Sequence, residues 1–428
     1  MQIHVVKQGE TLQGIANTYN VTAARLEESN QIPNADRLVP GQTIVIPIWG
    51  SYHWIQPGES LYQLSRRYEI PVEELQRINQ ISSPEQLQVG FRVYIPQKQR
   101  PERDVSAYLE PRPTGNQEPA IINSVGENLT FITLFSYQIN ADGTLRPMND
   151  QPSINAAYQN RVVPLMVLTN IPPEGGFSTE LITTILNDPA LQDRLLDESL
   201  AIMREKGYLG LDFDIEYVGA ANREKYNELL RKASARLKAE GFLLSSALAP
   251  KTSVTQTGVL YEGHDYQAHG EIVDFTFIMT YEWGWSGGPP MAVSPLNQVR
   301  RVMEFAVSQI PTSKLMMGIP LYGYDWTLPY VQGGAFARAI SPQQAILLAD
   351  QYGVEIQYDE TAQSPHFNYT DEQGREHEVW FEDARSIQAK FDLVKELGIR
   401  GFFYWVLRFE FPQNWLLVQD NFVVRKRV

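Results

Sequence analysis

Between residues 105 and 428 the chain alternates short apolar runs with longer segments whose apolar positions recur every three or four residues. The runs predict strands at 105–109, 129–137, 162–168, 209–216, 243–249, 273–281, 315–322 and 399–406. The periodic segments predict helices, clearest over 190–206, 221–240, 295–309 and 383–396. Strands apolar on both faces and separated by helices belong to parallel sheets covered on both sides. Eight such units predict an α/β chain built on a (β/α)8 TIM barrel. A polar, aromatic-rich stretch at 353–382, after the seventh unit, is expected to form a small β-rich insertion on the barrel rim.

One run breaks the apolar pattern. Residues 209–217 read Leu-Gly-Leu-Asp-Phe-Asp-Ile-Glu-Tyr, so on a strand Asp212, Asp214 and Glu216 share one face, and Leu211, Phe213 and Ile215 the other. In a sheet covered by helices the acidic face must look into the barrel. Crowding carboxylates there is costly, and chains carry that cost mainly where proton transfer needs perturbed acids. Catalytic groups of such barrels cluster at the C-terminal ends of the strands. Glu216 ends the fourth predicted strand, Tyr281 and Glu282 the sixth, Tyr322 the seventh and Trp405 the eighth, so all converge on one mouth. Trp283, Trp285, Tyr324 and Trp326 lie close by in sequence and, with Tyr322, are candidate sugar-stacking walls. Tyr281 and Trp405 also read as core aromatics, and Asp212 as either a buried structural acid or a proton partner of Asp214.

The first 96 residues carry an ungapped repeat. Gly9-Glu10-Thr11-Leu12 recurs as Gly58-Glu59-Ser60-Leu61, Tyr19 as Tyr68, Asn30 as Asn79, Gly41 as Gly90 and Pro47 as Pro96, always 49 residues on. A constant offset means duplicated modules. Each reads strand–helix–helix–strand (βααβ). In the first, a strand at 3–6 leads to a helix through Leu12, Ile15, Ala16 and Tyr19 behind a Thr11 cap. A second helix surrounds Leu26 and a strand closes the unit at 43–46; in the second unit Pro71 starts the corresponding helix. The expected domains are α+β modules at 1–48 and 49–97, a short polar linker at 98–104, and the barrel at 105–428.

Composition narrows the function. Net charge is −14, of which −2 falls in the repeats and −12 beyond them. That balance argues against nucleic-acid binding, which wants a basic surface; the basic end Arg425-Lys426-Arg427 reads as a solvated tail. The absence of cysteine excludes disulfides, thiol catalysis and cysteine-ligated metals. The six histidines form no H-E-x-x-H pattern, and His264 and His269 are five apart, so neither a metal site nor a cofactor is expected. The start Met1-Gln2-Ile3-His4-Val5 has no basic-then-apolar signal, and no apolar run is long enough to span a membrane. Synthesis without a secretion signal, and no membrane association, are expected.

The repeats resemble LysM modules in their opening Gly-Glu-Thr/Ser-Leu, their central Asn, and the Pro/Val-Gly-Gln/Phe before the last strand. That resemblance implies binding of N-acetylglucosamine-containing glycans, in peptidoglycan or chitin. Asp212-Phe213-Asp214-Ile215-Glu216 resembles the D-x-D-x-E signature of family 18 glycoside hydrolases, the chitinase-like enzymes. Met279-Thr280-Tyr281-Glu282 resembles that family's Met-x-Tyr-Asp element, and Tyr404-Trp405 its eighth-strand Trp. Two LysM units ahead of such a barrel resemble the N-acetylglucosaminidases that endospore-forming bacteria direct at spore-cortex fragments. The resemblance implies substrate-assisted retention, with Glu216 as general acid and then base, and Asp214 orienting the substrate acetamido group. Asp212 would share a proton with Asp214, Tyr281 would bond the acetamido oxygen, Trp405 would floor the sugar site and Glu282 would contact the sugar. It also implies residence at the spore coat or cortex surface. Three positions depart from the family pattern: Leu209 and Glu282 where Asp is frequent, and Ile215 where Trp is. A lectin-like barrel is the rival of another class, although such barrels usually lose the acid that stands here as Glu216; a chitinase is the rival within the class.

Overall fold

The computed structural model describes residues 1–83, 87–97, 99–111 and 117–428, so Lys98 of the expected linker lies outside them. Module 1 comprises β1 (Gln2–Val5), α1 (Leu12–Tyr19), α2 (Ala23–Asn30) and β2 (Thr43–Ile46); module 2 repeats this as β3 (Ser51–Trp54), α3 (Leu61–Tyr68), α4 (Val72–Asn79) and β4 (Arg92–Ile95). In both, the two strands pair antiparallel. The repeated residues are staples. Thr11 and Ser60 cap their helices by accepting from the N–H groups of Gly14 and Gln63. Asn30 Nδ2 donates to Leu26 O and Val45 O, both at 2.9 Å, and Asn79 makes the same pair of bonds to Leu75 O and Tyr94 O. Glu10 accepts from Lys7 N–H and contacts the His4 ring, closing the β1–α1 loop, and Glu59 does the same with Gln56 and His53.

Eight parallel strands close the barrel: β5 (Glu102–Leu109), β6 (Phe131–Gln138), β7 (Val163–Thr169), β8 (Gly210–Asp214), β9 (Leu243–Leu248), β10 (Phe275–Ile278), β11 (Leu315–Pro320) and, after an insertion, β17 (Gly401–Trp405). Closure is the parallel pairing of β17 with β5. The interior is filled by a buried cluster that includes Tyr108, Phe131, Val167, Phe277, Met316 and Phe403. A second apolar layer joins the outer strand faces to the surrounding helices. β5 begins at Glu102, inside the segment read as linker. Its added residues are held by Asp104, a buried carboxylate ringed by Arg400, Arg425 and Arg427. The basic end is therefore no solvated tail: β18 (Val423–Val424) pairs with β5, and Lys426 Nζ donates to Leu129 O at 2.7 Å, sealing the barrel bottom.

The insertion is larger than 353–382. It runs from β12 (Gly323–Thr327) through β13 (Arg338–Ile340), helix Pro342–Tyr352, β14 (Gln357–Asp359) and β15 (Ser364–Thr370) to β16 (Glu376–Trp380). These strands form an antiparallel sheet in the order β13-β12-β16-β15-β14. Segment 323–327 alternates aromatic Tyr324 and Trp326 with polar Asp325 and Thr327 and is buried at all but Thr327. The helix starts at a capping box between Ser341 and Gln344.

Candidate active site

Three predicted strands stop short of their functional residues: β8 ends at Asp214, β10 at Ile278 and β11 at Pro320, so Glu216, Tyr281 and Tyr322 stand on the connections beyond. At β8 the reason is visible in the hydrogen bonds. The Ile215 carbonyl, instead of continuing the ladder, accepts from His264 Nε2 at 2.9 Å. Asn170, just past β7, holds Glu216 by both backbone groups: its amide donates to Glu216 O at 2.8 Å and its oxygen accepts Glu216 N–H at 3.0 Å. The next residue, Tyr217, has φ 55, and Glu282, directly after Tyr281, has φ 67. Non-glycine residues in this left-handed region cost about 1–3 kcal/mol each, and surrounding contacts must hold them there. Neither Asn170 nor His264 was singled out from sequence. Asn170 could have been found by the strand-end rule that found Glu216; His264 carried no signal, since its partner is a backbone carbonyl 49 residues away.

The three acids line the inside of the barrel, graded from deep to open. Asp212 is fully buried and accepts from Tyr108 OH and Ser245 Oγ, both at 2.7 Å. Burial pushes its carboxyl up to about 6, although these two donors oppose the rise. Asp214 is raised well above the usual range by burial, then by the charges of Glu216 and Asp212. Its Oδ1 is buried with no hydrogen-bond partner among the described residues. Glu216, partly exposed at the mouth, is raised to about 7 by burial and by the charge of Glu282. Tyr281 belongs to the same field: burial first, then the Asp214 charge, pushes its phenol far above its ordinary value. Glu282 accepts from Tyr322 OH, and from Tyr324 OH at 2.9 Å.

Trp405 is partly exposed at the mouth, with Tyr281, Trp380 and Phe409 in one aromatic cluster. The wall assignments fare differently. Tyr322 and Tyr324 are buried and spend their hydroxyls on Glu282, and Trp326, 3% exposed, donates its indole N–H to Gly288 O at 2.9 Å. Tyr322 and Tyr324 support Glu282, and Trp326 supports the loop at Gly288. Trp283, half-buried, packs on the outer apolar layer and lines a surface hollow with Pro250, Thr252 and Tyr261 beyond β9. Trp285 is 45% exposed, edge-on to Phe336 at 6.2 Å on the rim. Leu209 packs against the inner core and Ile215 is buried in the outer layer, so both departures from the family pattern sit in apolar surroundings.

This geometry of acids stacked on the fourth barrel strand agrees with comparison to known proteins. The profile described as Glycosyl hydrolases family 18 matches residues 108–410, and that of the LysM domain matches residues 4–47 and 53–96. The chain belongs to the family 18 glycosyl hydrolases. It is similar over its full length to the cortical fragment-lytic enzyme of Bacillus subtilis (strain 168), with 55% identity over 433 residues covering 100% of this chain and 99% of the relative. The protein of the same description from Bacillus anthracis is 46% identical over 430 residues, with 100% of both chains covered. Among solved structures, the Bacillus megaterium QM B1551 spore cortex-lytic enzyme SleL superposes with a TM-score of 0.92 at 46% identity, covering 100% of this chain and 99% of that one. This family 18 member is a glycoside hydrolase, and its barrel and LysM modules bind peptidoglycan or another N-acetylglucosamine-containing glycan.

Proposed function

We propose that this chain is a retaining, substrate-assisted β-N-acetylglucosaminidase that cleaves N-acetylglucosamine linkages in peptidoglycan fragments of the spore cortex during germination, working at the spore coat or cortex surface. The cortex assignment rests on the full-length likeness to cortical fragment-lytic enzymes. The chemistry rests above all on one observation: Asp214 presents a buried, unpartnered carboxylate oxygen between Glu216 and Asp212, in the same field as the Tyr281 phenol. A buried acceptor of this kind suits an amide N–H, and the phenol beside it suits the amide oxygen.

On this reading Glu216, protonated below about 7, gives its proton to the glycosidic oxygen as the bond to the anomeric carbon breaks. The substrate's own acetamido oxygen bonds to that carbon from the opposite face, forming an oxazolinium-like ring. This is a recognised exception to the two-carboxylate scheme. Asp214 orients the acetamido N–H and offsets the developing positive charge, while Asp212, held by Tyr108 and Ser245, shares a proton with Asp214 until then. Water then adds to the anomeric carbon, returns a proton to Glu216 and reopens the ring with retention.

Glu216→Gln tests this directly. Release of reducing ends from cortex fragments is expected to fall about 100- to 10,000-fold with pull-down on peptidoglycan intact. Hydrolysis at the wild-type rate removes Glu216 from the mechanism, and a wild-type enzyme that cleaves chitin oligomers but leaves cortex fragments whole makes it a chitinase.

A further inference from the structure

The two LysM modules share a fold but not an environment. In each, the loop between its two helices and its last strand lies against the loop after its first strand. Gly41 N–H donates to Val6 O, and Gly90 N–H to Ile55 O, both at 2.8 Å. In module 1 this paired edge is seated on the catalytic domain. Asn34 Nδ2 donates to Asp350 Oδ2 at 3.0 Å, Arg37 Nη2 to Asp350 O at 2.7 Å and Arg385 Nη2 to Gly41 O at 3.1 Å. Ile356 N–H donates to Pro40 O at 2.9 Å, and Val39 is buried within the core of the insertion. The approach is so close that a Cβ on Gly41 would stand 1.8 Å from the Ile356 carbonyl oxygen.

Forty-nine residues later the same edge is open. Gln88, Val89 and Gly90 are exposed, Val89 at 65%, and among the described residues a Cβ on Gly90 would meet nothing within 4 Å. The neighbouring loop 56–58 is exposed, as is its module 1 equivalent 7–9, but beside it Tyr62, 67% exposed on the first turn of α3, stands where module 1 has Gln13. The closing strands tell the same story. β2 is buried on both faces, whereas the outward positions of β4 are Arg92, exposed, and Tyr94, half-buried. A sugar ring is several ångströms thick and cannot enter an edge already in van der Waals contact with backbone.

We propose that module 2 alone carries the glycan tether, along the surface formed by residues 56–62 and 87–91, and that module 1 has been absorbed into the catalytic domain as a bracket closed to glycan on its α2–β2 side. The ligand is an N-acetylglucosamine-containing strand, as the LysM match at 53–96 requires, and the proposal rests on the wall-hydrolase reading above. Apolar and aromatic side chains such as Val89 and Tyr62 are what the C–H faces of such sugars pack against. Module 2 meets module 1 through Trp54 against Tyr19 and the barrel domain through Gln97 on Asp420, so a strand it holds is kept close to the catalytic domain.

The test uses the full-length protein and purified insoluble peptidoglycan sacculi. The double variant Tyr62→Ala/Val89→Asp is expected to bind sacculi at least tenfold more weakly, with unchanged thermal midpoint and unchanged turnover of a soluble N-acetylglucosamine hexamer. A module 1 variant on its own exposed loop and first helical turn, Gln8→Asp/Gln13→Ala, is expected to bind within twofold of wild type. Equal losses in both variants, or full binding by the module 2 variant, overturn the proposal. Should the module 2 variant lose its thermal midpoint, amide hydrogen exchange decides on Glu216→Gln protein with the same hexamer. Protection at 56–62 and 87–91 supports the proposal, and protection at 7–13 and 36–42 in their place overturns it. Failure of the wild type to cleave any such glycan sinks the functional reading instead, and is distinguishable because the binding comparison does not depend on turnover.

Discussion

Glu216 is where one side chain controls both rate and stability. Burial and the Glu282 charge hold its carboxyl at about 7, against 4.5 in an unfolded chain. If its protonated form is the acid, kcat/KM is expected to fall as pH rises through about 7, and a pH–rate profile on a soluble substrate checks this. A basic limb lying above pH 9 assigns the acid to another group. The same elevation has a thermodynamic sign. Between 4.5 and 7 the folded protein holds a proton that the unfolded chain has released, so this contribution is present below 4.5 and is lost as pH rises through 7. Glu216→Gln, which cannot ionise, is therefore expected to raise the thermal midpoint by a few degrees at pH 8 and by little at pH 4. Calorimetry at the two pH values reads the difference; an equal shift at both would mean that ionisation of Glu216 costs the fold nothing. His264 works differently. Burial pushes it down to about 4, so above that pH it is a neutral ring whose Nε2–H can hold the Ile215 carbonyl throughout the working range.

At the scale of elements, identical sequence positions acquire different meanings from what they touch. Gly41 and Gly90 have φ of 84 and 85, and any side chain there costs about 1–2 kcal/mol. Only Gly41 also faces a carbonyl oxygen within reach of a Cβ. Gly90→Ala is thus expected to destabilise by roughly that amount, and Gly41→Ala by about 2 kcal/mol more, measured by denaturant unfolding of the full chain. Equal costs would mean that the seat on Ile356 is loose. Strand β12 shows the same principle. Its odd and even residues serve two interfaces at once: Tyr324 donates to Glu282 on the barrel side, while Asp325 on the other face accepts from Tyr369 OH at 2.9 Å. Support of the site from the insertion thus depends on a strand whose two faces are both engaged.

Over the whole molecule, module 1 and the barrel share apolar cores. Val45 lies in the layer between barrel strands and helices, Val39 in the core of the insertion, and Met1 and Ile3 pack against the former. Gln413 reaches into the module to donate to Thr43 O at 2.6 Å and Asn30 Oδ1 at 3.0 Å. Burying a valine contributes about 1.5–3 kcal/mol, so a chain truncated to residues 99–428 is expected to melt several degrees lower than the full protein and to bind more of a hydrophobic dye. A truncated barrel with an unchanged midpoint would show that the modules are independent beads. Module 2 touches this assembly more lightly: Trp54 meets Tyr19 edge-on at 5.6 Å, and Gln97 Nε2 donates to Asp420 Oδ1 at 2.7 Å.

The amino-acid sequence by itself determined the repeat, the eight-strand barrel and the run of acids, because each is written in local periodicity: an offset of 49, a period near 3.6, an alternation of two. It turned Asp212, Asp214 and Glu216 to the inner face and set Glu216, Tyr281, Glu282, Tyr322 and Trp405 at strand ends that converge on one mouth, since strand order and side-chain alternation follow from the fold class. Only the tertiary structure decided which aromatics line that mouth. Tyr322, Tyr324 and Trp326 are buried, and Trp283 packs on the outer layer, through neighbours far along the chain, which no local pattern records. The same holds for the reach of the insertion and for the seating of module 1: Thr43 and Val45 against Arg92 and Tyr94 are ordinary strand residues until a barrel covers one pair and leaves the other in water.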